Sequence, residues 1–380
     1  MKNFVKIFLI LILTFGLASC SEKIQNTQTS NQTSVISSTT EVFPNNSSKF
    51  VITQPWGSNG SIDRLSFNSD NNITIQKNIL EISENPSDAV WFNNKLYITH
   101  SKNHNLIIFN PELNTLEEVS LKKDPEDTPQ PQSIAIYKDK GFIANFNKNS
   151  VYVIDINKDV NVITNEITLP ENNDLKPYTD KITKGKPQKI ILANNKLYLL
   201  LPTWTDLDSA NGNWAPGGPS LVIVIDPELE KIEKTITLSH NNPTNLIKKD
   251  NYLLVLQTGE NWPADHKSIL EVIDLNTNEV LNAQYEIKAD TSSMILDAEG
   301  NILVASSYSG TFIEKISFKN NTFSKESTIE FDNLKPGHLL VNNNDLFMIA
   351  SDSNFTSNLY KLENNIPNKI ETSPSPYIVK

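Results

Sequence analysis

The chain has a single cysteine, Cys20, among 380 residues. One thiol allows no intramolecular disulfide and no cysteine-based metal cluster, so packing alone must hold the fold. Basic residues are in deficit too: 33 Lys and Arg face 44 Asp and Glu, for a net charge of −11. That balance opposes non-specific nucleic-acid binding and a polybasic grip on anionic lipid, and it favours solubility. Beyond the first twenty residues no stretch repeats its apolar positions every 3.6 residues, which leaves little room for helix. The local signatures of catalysis are also missing: no Gly-x-Ser-x-Gly elbow, phosphate loop, His-Glu-x-x-His or dinucleotide fingerprint occurs. This tilts the reading away from an enzyme without closing it. A site assembled from single residues on separate repeats leaves no local motif.

What is present begins with an export signal. Lys2 and Lys6 precede an apolar run from Phe8 to Leu17, too short for a membrane span. The run ends in Leu17-Ala18-Ser19-Cys20, which resembles the lipobox of bacterial lipoproteins. The resemblance implies cleavage before Cys20, a diacylglycerol thioether on its sulfur, and an acyl chain such as palmitate on its amine. Several acyl chains, each methylene contributing about 0.8 kcal/mol, anchor firmly. Loss of Lys2 and Lys6 takes the net charge from −11 to −13. The expected organisation is a signal peptide over 1–19, a lipidated disordered tether over 20–48 and one domain over 49–380. The tether is rich in Ser, Thr, Asn and Gln and cannot bury enough surface to offset ordering entropy. Fully extended it reaches on the order of 90 Å. The expected location is the cell envelope, on the outer membrane if the host has one, since serine follows Cys20.

The domain is a repeat. Asn85-Pro86-Ser-Asp-Ala-Val, Asn94-Lys-Leu-Tyr-Ile98 and Asn105-Leu-Ile-Ile-Phe-Asn-Pro111 return from Pro131, from Pro187 and from Pro243, and more weakly near Ser292 and from Pro336. Each copy holds three or four short runs of Val, Ile, Leu and Tyr parted by Asn, Asp, Gly and Pro, which are strand and turn signals. Four short strands in some 45 residues match a propeller blade. Six copies start at or after Pro86, and the chain ends in Pro374-Ser-Pro-Tyr-Ile-Val-Lys380, an opening strand with nothing after it. The missing strands stand at the other end, in Phe50–Thr53, Ile62–Phe67 and Ile73–Leu80. The prediction is all-β: a seven-bladed propeller of four-stranded antiparallel blades, closed by the C-terminal strand joining the N-terminal blade. Such closure removes open sheet edges.

The phrase Gly141-Phe-Ile-Ala-Asn-Phe-Asn-Lys-Asn-Ser-Val-Tyr-Val-Ile-Asp155 resembles the YVTN repeat of surface-layer and YncE-like β-propellers. It departs at residues 98–100, where Ile-Thr-His stands for Val-Thr-Asn. The resemblance implies the fold and an extracytoplasmic, mostly non-catalytic family with diverse partners. A fold by itself assigns no function.

Loops between second and third strands share one face of a propeller with the connections into the next blade; this is termed the upper face. Three of these loops are long: 54–60, 202–220 and 258–267, with further long connections at 121–130 and 169–186. Loops that outgrow their scaffold carry function. They hold Trp56, Trp204, Trp214 and Trp262, whereas Trp91 falls in an innermost strand and reads as core. Exposed tryptophans suit a binding surface, and packing the loops on themselves is the competing role. Asp265 and His266 lie beside Trp262 as binding candidates or as an acid–base pair. Asp206, Asp208 and Asn211 space oxygen ligands as calcium loops do, without the full EF-hand pattern. His100 and His338 come from different blades around one axis and could join a divalent-metal site, although surface roles are commoner for such histidines. No cofactor is expected beyond that calcium or divalent metal. The reading is a lipid-anchored binding or assembly protein that engages an envelope protein or a small molecule through the upper face. The alternatives are a metal-assisted hydrolase or lyase at the channel mouth, and a passive surface or adhesive module.

Overall fold

The computed structural model describes residues 48–55, 57–67, 73–157, 163–170, 183–208, 213–216, 220–258, 267–306, 310–342 and 344–379. Side chains are described at all of these except 183–185, 204–208, 213–216 and 292. The short apolar runs form strands, and asparagine turns the chain between them. At Asn93-Asn94, Asn194-Asn195, Asn320-Asn321 and Asn364-Asn365 both residues have positive φ. That is the conformation of a tight hairpin turn whose twist matches the strands it joins.

Seven four-stranded antiparallel sheets result, each running from an innermost to an outermost strand in chain order, except the first. Blade one takes its innermost strand from the C-terminus, in the order Pro376–Val379, Ser48–Thr53, Gly60–Phe67, Ile73–Ile82. The predicted closure is therefore present: Val51 pairs with Val379 and Ile52 with Ile378. No helix occurs among the described residues. The sequence reading did not anticipate an eighth, three-stranded sheet built from Thr183–Gly185, Thr203–Asp208 and Asn213–Pro216.

The core is not one cluster but seven, each between two adjacent blades. Between blades one and two, Phe50, Ile62 and Ile82 meet Leu96, Ile107 and Phe109. Between blades seven and one, Phe347 and Leu359 meet Val51, Leu65 and Val379. Each blade thus buries both faces of its sheet, which is why its strands read as continuous apolar runs rather than as alternation. Trp91 is less buried than the sequence suggested. It packs its ring 5.6 Å from Phe50 yet keeps 38% of its surface exposed, since it sits at the lower end of its strand.

A recurring polar latch joins blades. On the third strand of blade one, Asp63 is fully buried and accepts the backbone N–H groups of Asn78 (2.7 Å) and Ser373 (2.5 Å) and the Ser373 hydroxyl (2.6 Å). Ser373 lies in the connection from blade seven. Glu271 holds the same register position in blade five, opposite Val255 as Asp63 is opposite Val51. It accepts the N–H of Ser239, in the connection from blade four, at 3.1 Å. In blade three the position is Tyr152, whose hydroxyl donates to Asp127 in the connection from blade two, at 3.1 Å. In blades one, three and five this position thus fastens the incoming chain, and the blade-one copy fastens the two ends of the protein together.

A second register ring closes the upper ends of the second strands: Thr53, His100, Asn145, Gln257 and Ser306, all buried. His100 is the titratable member. It is fully buried, its Nδ1 lies 3.2 Å from the Glu84 carbonyl, and its Nε2 has no partner. Burial lowers its pKa to about 4, against a smaller upward pull from backbone hydrogen bonds.

Two outcomes follow from these rings. Asp63→Ala orphans buried donors, each costing about 1–3 kcal/mol, so urea unfolding should show a loss of about 3 kcal/mol. Amide exchange should rise first in residues 376–379 and their partner strand, whereas Glu271→Ala should leave that pair protected. For His100, the unfolded imidazole takes up a proton below about pH 6.5 and the folded one only near pH 4. The native state therefore loses stability as pH falls through that window, by up to about 3 kcal/mol. His100→Asn, which copies Asn145, should remove this slope; an unchanged pH dependence of unfolding in the variant would refute the assignment.

Candidate functional site

The eighth sheet is built by the two longest upper-face segments. Thr183–Gly185 belongs to the connection from blade three to blade four, and Thr203–Asp208 with Asn213–Pro216 forms a hairpin between the second and third strands of blade four. The register pairs Trp204 with Pro216 and with Lys184, and Trp214 with Asp206. Residues directly opposite each other, and residues two apart on a strand, belong to the same side of a sheet. Positions 184, 204, 206, 214 and 216 therefore share one side of this sheet. Two tryptophans that stand ten residues apart in sequence occupy a single surface. Asp206 and Asp208 lie in the same strand, with an irregular register between them. Trp56, Asn211, Trp262, Asp265 and His266 fall outside the described residues, as does Cys20.

The second candidate region is the central channel, where sequence reasoning singled out only His338. The innermost strands of blades two, three, five, seven and six begin with a bulge, between Pro86 and Asp88, Pro131 and Ser133, Pro243 and Asn245, Pro336 and His338, and Thr291 and Ser293. A bulge lets proline open the strand and re-aims the residue behind it. The residues so placed are Asp88, Ser133, Asn245, Ser293 and His338, and Lys189 opens the innermost strand of blade four without a bulge. Lys189 of blade four reaches both carboxylate oxygens of Asp88 of blade two, at 2.9 Å each. Ser133 of the intervening blade donates to Asp88 at 2.5 Å and accepts the Ile190 N–H at 3.2 Å. Three blades are thus joined by one buried charge. Tyr377, on the innermost strand of blade one, has its phenol pushed up to about 12 by burial and by the Asp88 charge. Ser293 accepts the Leu339 N–H at 3.3 Å, so part of this set is scaffold. The sequence did carry a signal for it: each of these residues stands two places after the proline, or its equivalent, that opens a repeat.

The two histidines named from sequence sit in different settings. His100 is sealed in the ring of second-strand ends, and His338 has its Nε2 3.3 Å from the Val379 carbonyl, across the blade seven–blade one boundary. His104 and His240 are likewise engaged: His104 accepts the Gln130 N–H at 3.1 Å, and His240 lies 2.7 Å from the Ser239 hydroxyl. Among the described residues no group of three or more His, Cys, Asp or Glu gathers as a metal site.

Comparison with known proteins places the chain by shape and not by sequence. No family model and no curated protein sequence matches it. Among solved structures, a putative 6-phosphogluconolactonase from Bacteroides uniformis is 14% identical, with a TM-score of 0.63 over 89% of this chain and 99% of that one. A second putative 6-phosphogluconolactonase, from Bacteroides fragilis, is 13% identical, with a TM-score of 0.60 over 91% and 99%. A virginiamycin B lyase from Staphylococcus aureus is 13% identical, with a TM-score of 0.51 over 80% and 92%. At such identities the likeness extends to the fold alone: the chain is a seven-bladed β-propeller.

Proposed function

We propose that this chain is a lipid-anchored, extracytoplasmic binding or assembly protein, tethered through Cys20, that engages a partner through its upper face. The YVTN-type pattern of its blades and the lipobox-like Leu17–Cys20 support that setting. The observation that carries the binding role is the register of the three-stranded sheet, which puts positions 204 and 214 on one side of an element the propeller does not need for closure. Large aromatic anchors on such a platform contribute much binding energy at little entropic cost. The partner is an envelope protein in this reading. A metal-assisted site at Asp206, Asp208 and Asn211, or at His100 and His338, forms no part of it.

Crosslinking in the native membrane tests this directly. Wild type should capture a partner, and the Trp204→Ala, Trp214→Ala, Trp262→Ala triple variant should lose it while keeping its β-rich circular dichroism. Equal capture by both proteins would move the interface off the tryptophans. If the variant unfolds, the tryptophans are structural and the site assignment falls.

A second reading, a hydrolase or lyase acting at the channel, is favoured by one observation: Asp88, Lys189 and Tyr377 gather three titratable groups in one place. The lactonase and lyase names of the structural neighbours suggest the compounds to try. Hydrolysis of phosphorylated and plain sugar δ-lactones should then be measurable and should fall at least about 100-fold in Asp88→Asn, as expected for loss of a proton-transfer group. No turnover by wild type, or turnover unchanged in Asp88→Asn, would remove this reading.

A further inference from the structure

Resting on the reading of Cys20 as a lipid anchor, we infer that the lower face of the disc is a membrane-contact surface. It lays the propeller on the bilayer that holds its anchor and turns the tryptophan-bearing sheet away from it. The lower face is made by the turns that join first to second and third to fourth strands. The chain enters there at Ser48, the start of a second strand, so the tether and its lipid belong to this side. Taken as a coil, a tether over residues 20–47 spans about 30 Å. That length keeps the face at the bilayer, where individually weak contacts add together.

The large apolar side chains that stand exposed are concentrated on that face. There are six among the described residues, and five of them, Trp91, Leu113, Leu192, Leu229 and Ile366, belong to the lower turns or the strand ends beside them. The sixth, Phe355, is in the upper loop of blade seven. Single exposed leucines are ordinary on any protein surface; their gathering on the side that carries the anchor is not. They come from blades two, four and seven, which gives the disc three points of support. Leu113 and Leu229 hold equivalent places in their blades, and capped turns keep them at the tip. Asn110 Oδ1 accepts the N–H groups of Glu112 and Leu113 at 3.0 and 3.2 Å, and Asp226 Oδ1 accepts those of Glu228 and Leu229 at 2.9 Å each. Trp91 packs against Phe50 and leaves part of its indole open. An indole so placed suits the headgroup level, where its apolar ring and its N–H both find partners.

The charges of this face oppose a bilayer less than the net charge of the chain would. Glu228 pairs with Lys138, Glu230 with Lys140, Asp226 with Lys196, Asp297 with Lys315 and Asp345 with Lys361. Lysine stems can lie along the hydrocarbon boundary while their heads stay with these carboxylates. The same arrangement argues for lipid over protein as the occupant. The centre of a protein interface is apolar and depleted of charge. Here the apolar tips of blades two and four are separated by the charged turn of blade three, Lys138 to Lys140. A bilayer is deformable and accepts separate apolar points at one level, with polar groups between them among the headgroups.

The test uses the single cysteine. The full chain is reconstituted in vesicles of phosphatidylethanolamine and phosphatidylglycerol, as wild type and as Leu113→Cys, Leu229→Cys, Ile366→Cys and Phe355→Cys. Each substitution replaces a side chain more than 60% exposed, so the fold is not at stake. A thiol-directed nitroxide is then attached. Oxygen, which concentrates in lipid, should relax the labels at 113, 229 and 366 more than a water-soluble nickel chelate does, and the order should reverse at 355. Equal behaviour of the lower labels and the label at 355 would overturn the inference. So would lower labels shielded from both reagents, which would mean that protein covers the face. Wild type reports on the anchor separately, because a sulfur held in a thioether takes up no nitroxide. A labelled wild type would refute the anchor and the contact surface with it. An unlabelled wild type beside lower labels that meet water would refute the contact surface alone.

Discussion

The pairing of Ser48–Thr53 with Pro376–Val379 is the constraint on which the rest depends. Seven inter-blade clusters hold the core, and the one that joins Val51 and Leu65 to Phe347 and Leu359 exists only when the two chain ends meet. Until that pairing forms, blade one lacks its innermost strand and the ring has an open sheet edge. Contacts 310 residues apart in sequence, such as Asp63 with Ser373, are costly in loop-closure entropy and slow to find. With no intramolecular disulfide possible, a carboxylate with three hydrogen-bond donors at that junction does the work that a crosslink does in disulfide-bonded proteins.

The same device is reused with different side chains. Asp63, Glu271 and Tyr152 hold one register position in three blades and each fastens the connection that arrives from the preceding blade. The polar residues that open the innermost strands do the analogous job around the axis, where Ser133 ties Asp88 to the Ile190 N–H and Lys189 spans a whole blade. Buried polar groups in a propeller are therefore spent mainly on stitching repeats.

Most of the architecture was legible in the sequence because it is repeated. Proline opens the innermost strands, paired asparagines turn the hairpins, and the orphan strand at Pro374–Lys380 matched the three unclaimed strands at the other end. What repeats could not reveal lies where blades differ. The segment 202–220 read as a loop because Pro, Gly and Asp dominate it, yet its pairing partner, Thr183–Gly185, lies some twenty residues upstream in a segment with no strand signal. The channel residues escaped notice because they are chemically unlike, an acid, a serine, a lysine and a histidine, and share only a position two places after the residue that opens each repeat. Trp91 was read as core because its strand is innermost, whereas its place at the strand's end leaves it partly open to solvent. His100 was weighed as a metal ligand because it and His338 come from different blades around one axis; in the structure it is buried at the end of its strand, in the place that Asn145 fills one blade on.

The direction of the first strand has a mechanical consequence. A second strand runs from the lower face of a blade to the upper one, so the chain enters at Ser48 from the side opposite the tryptophan-bearing sheet. Any pull on the segment before Ser48 is directed along this strand, which lies between two neighbours rather than at an edge. Antiparallel hydrogen bonds run across the strands, so such a force shears the ladders to Pro376–Val379 and to Gly60–Phe67 together instead of peeling bonds one at a time. A load applied from one side of the disc is thus borne by the seam that closes the ring, and the opposite side is left free to hold whatever does the pulling.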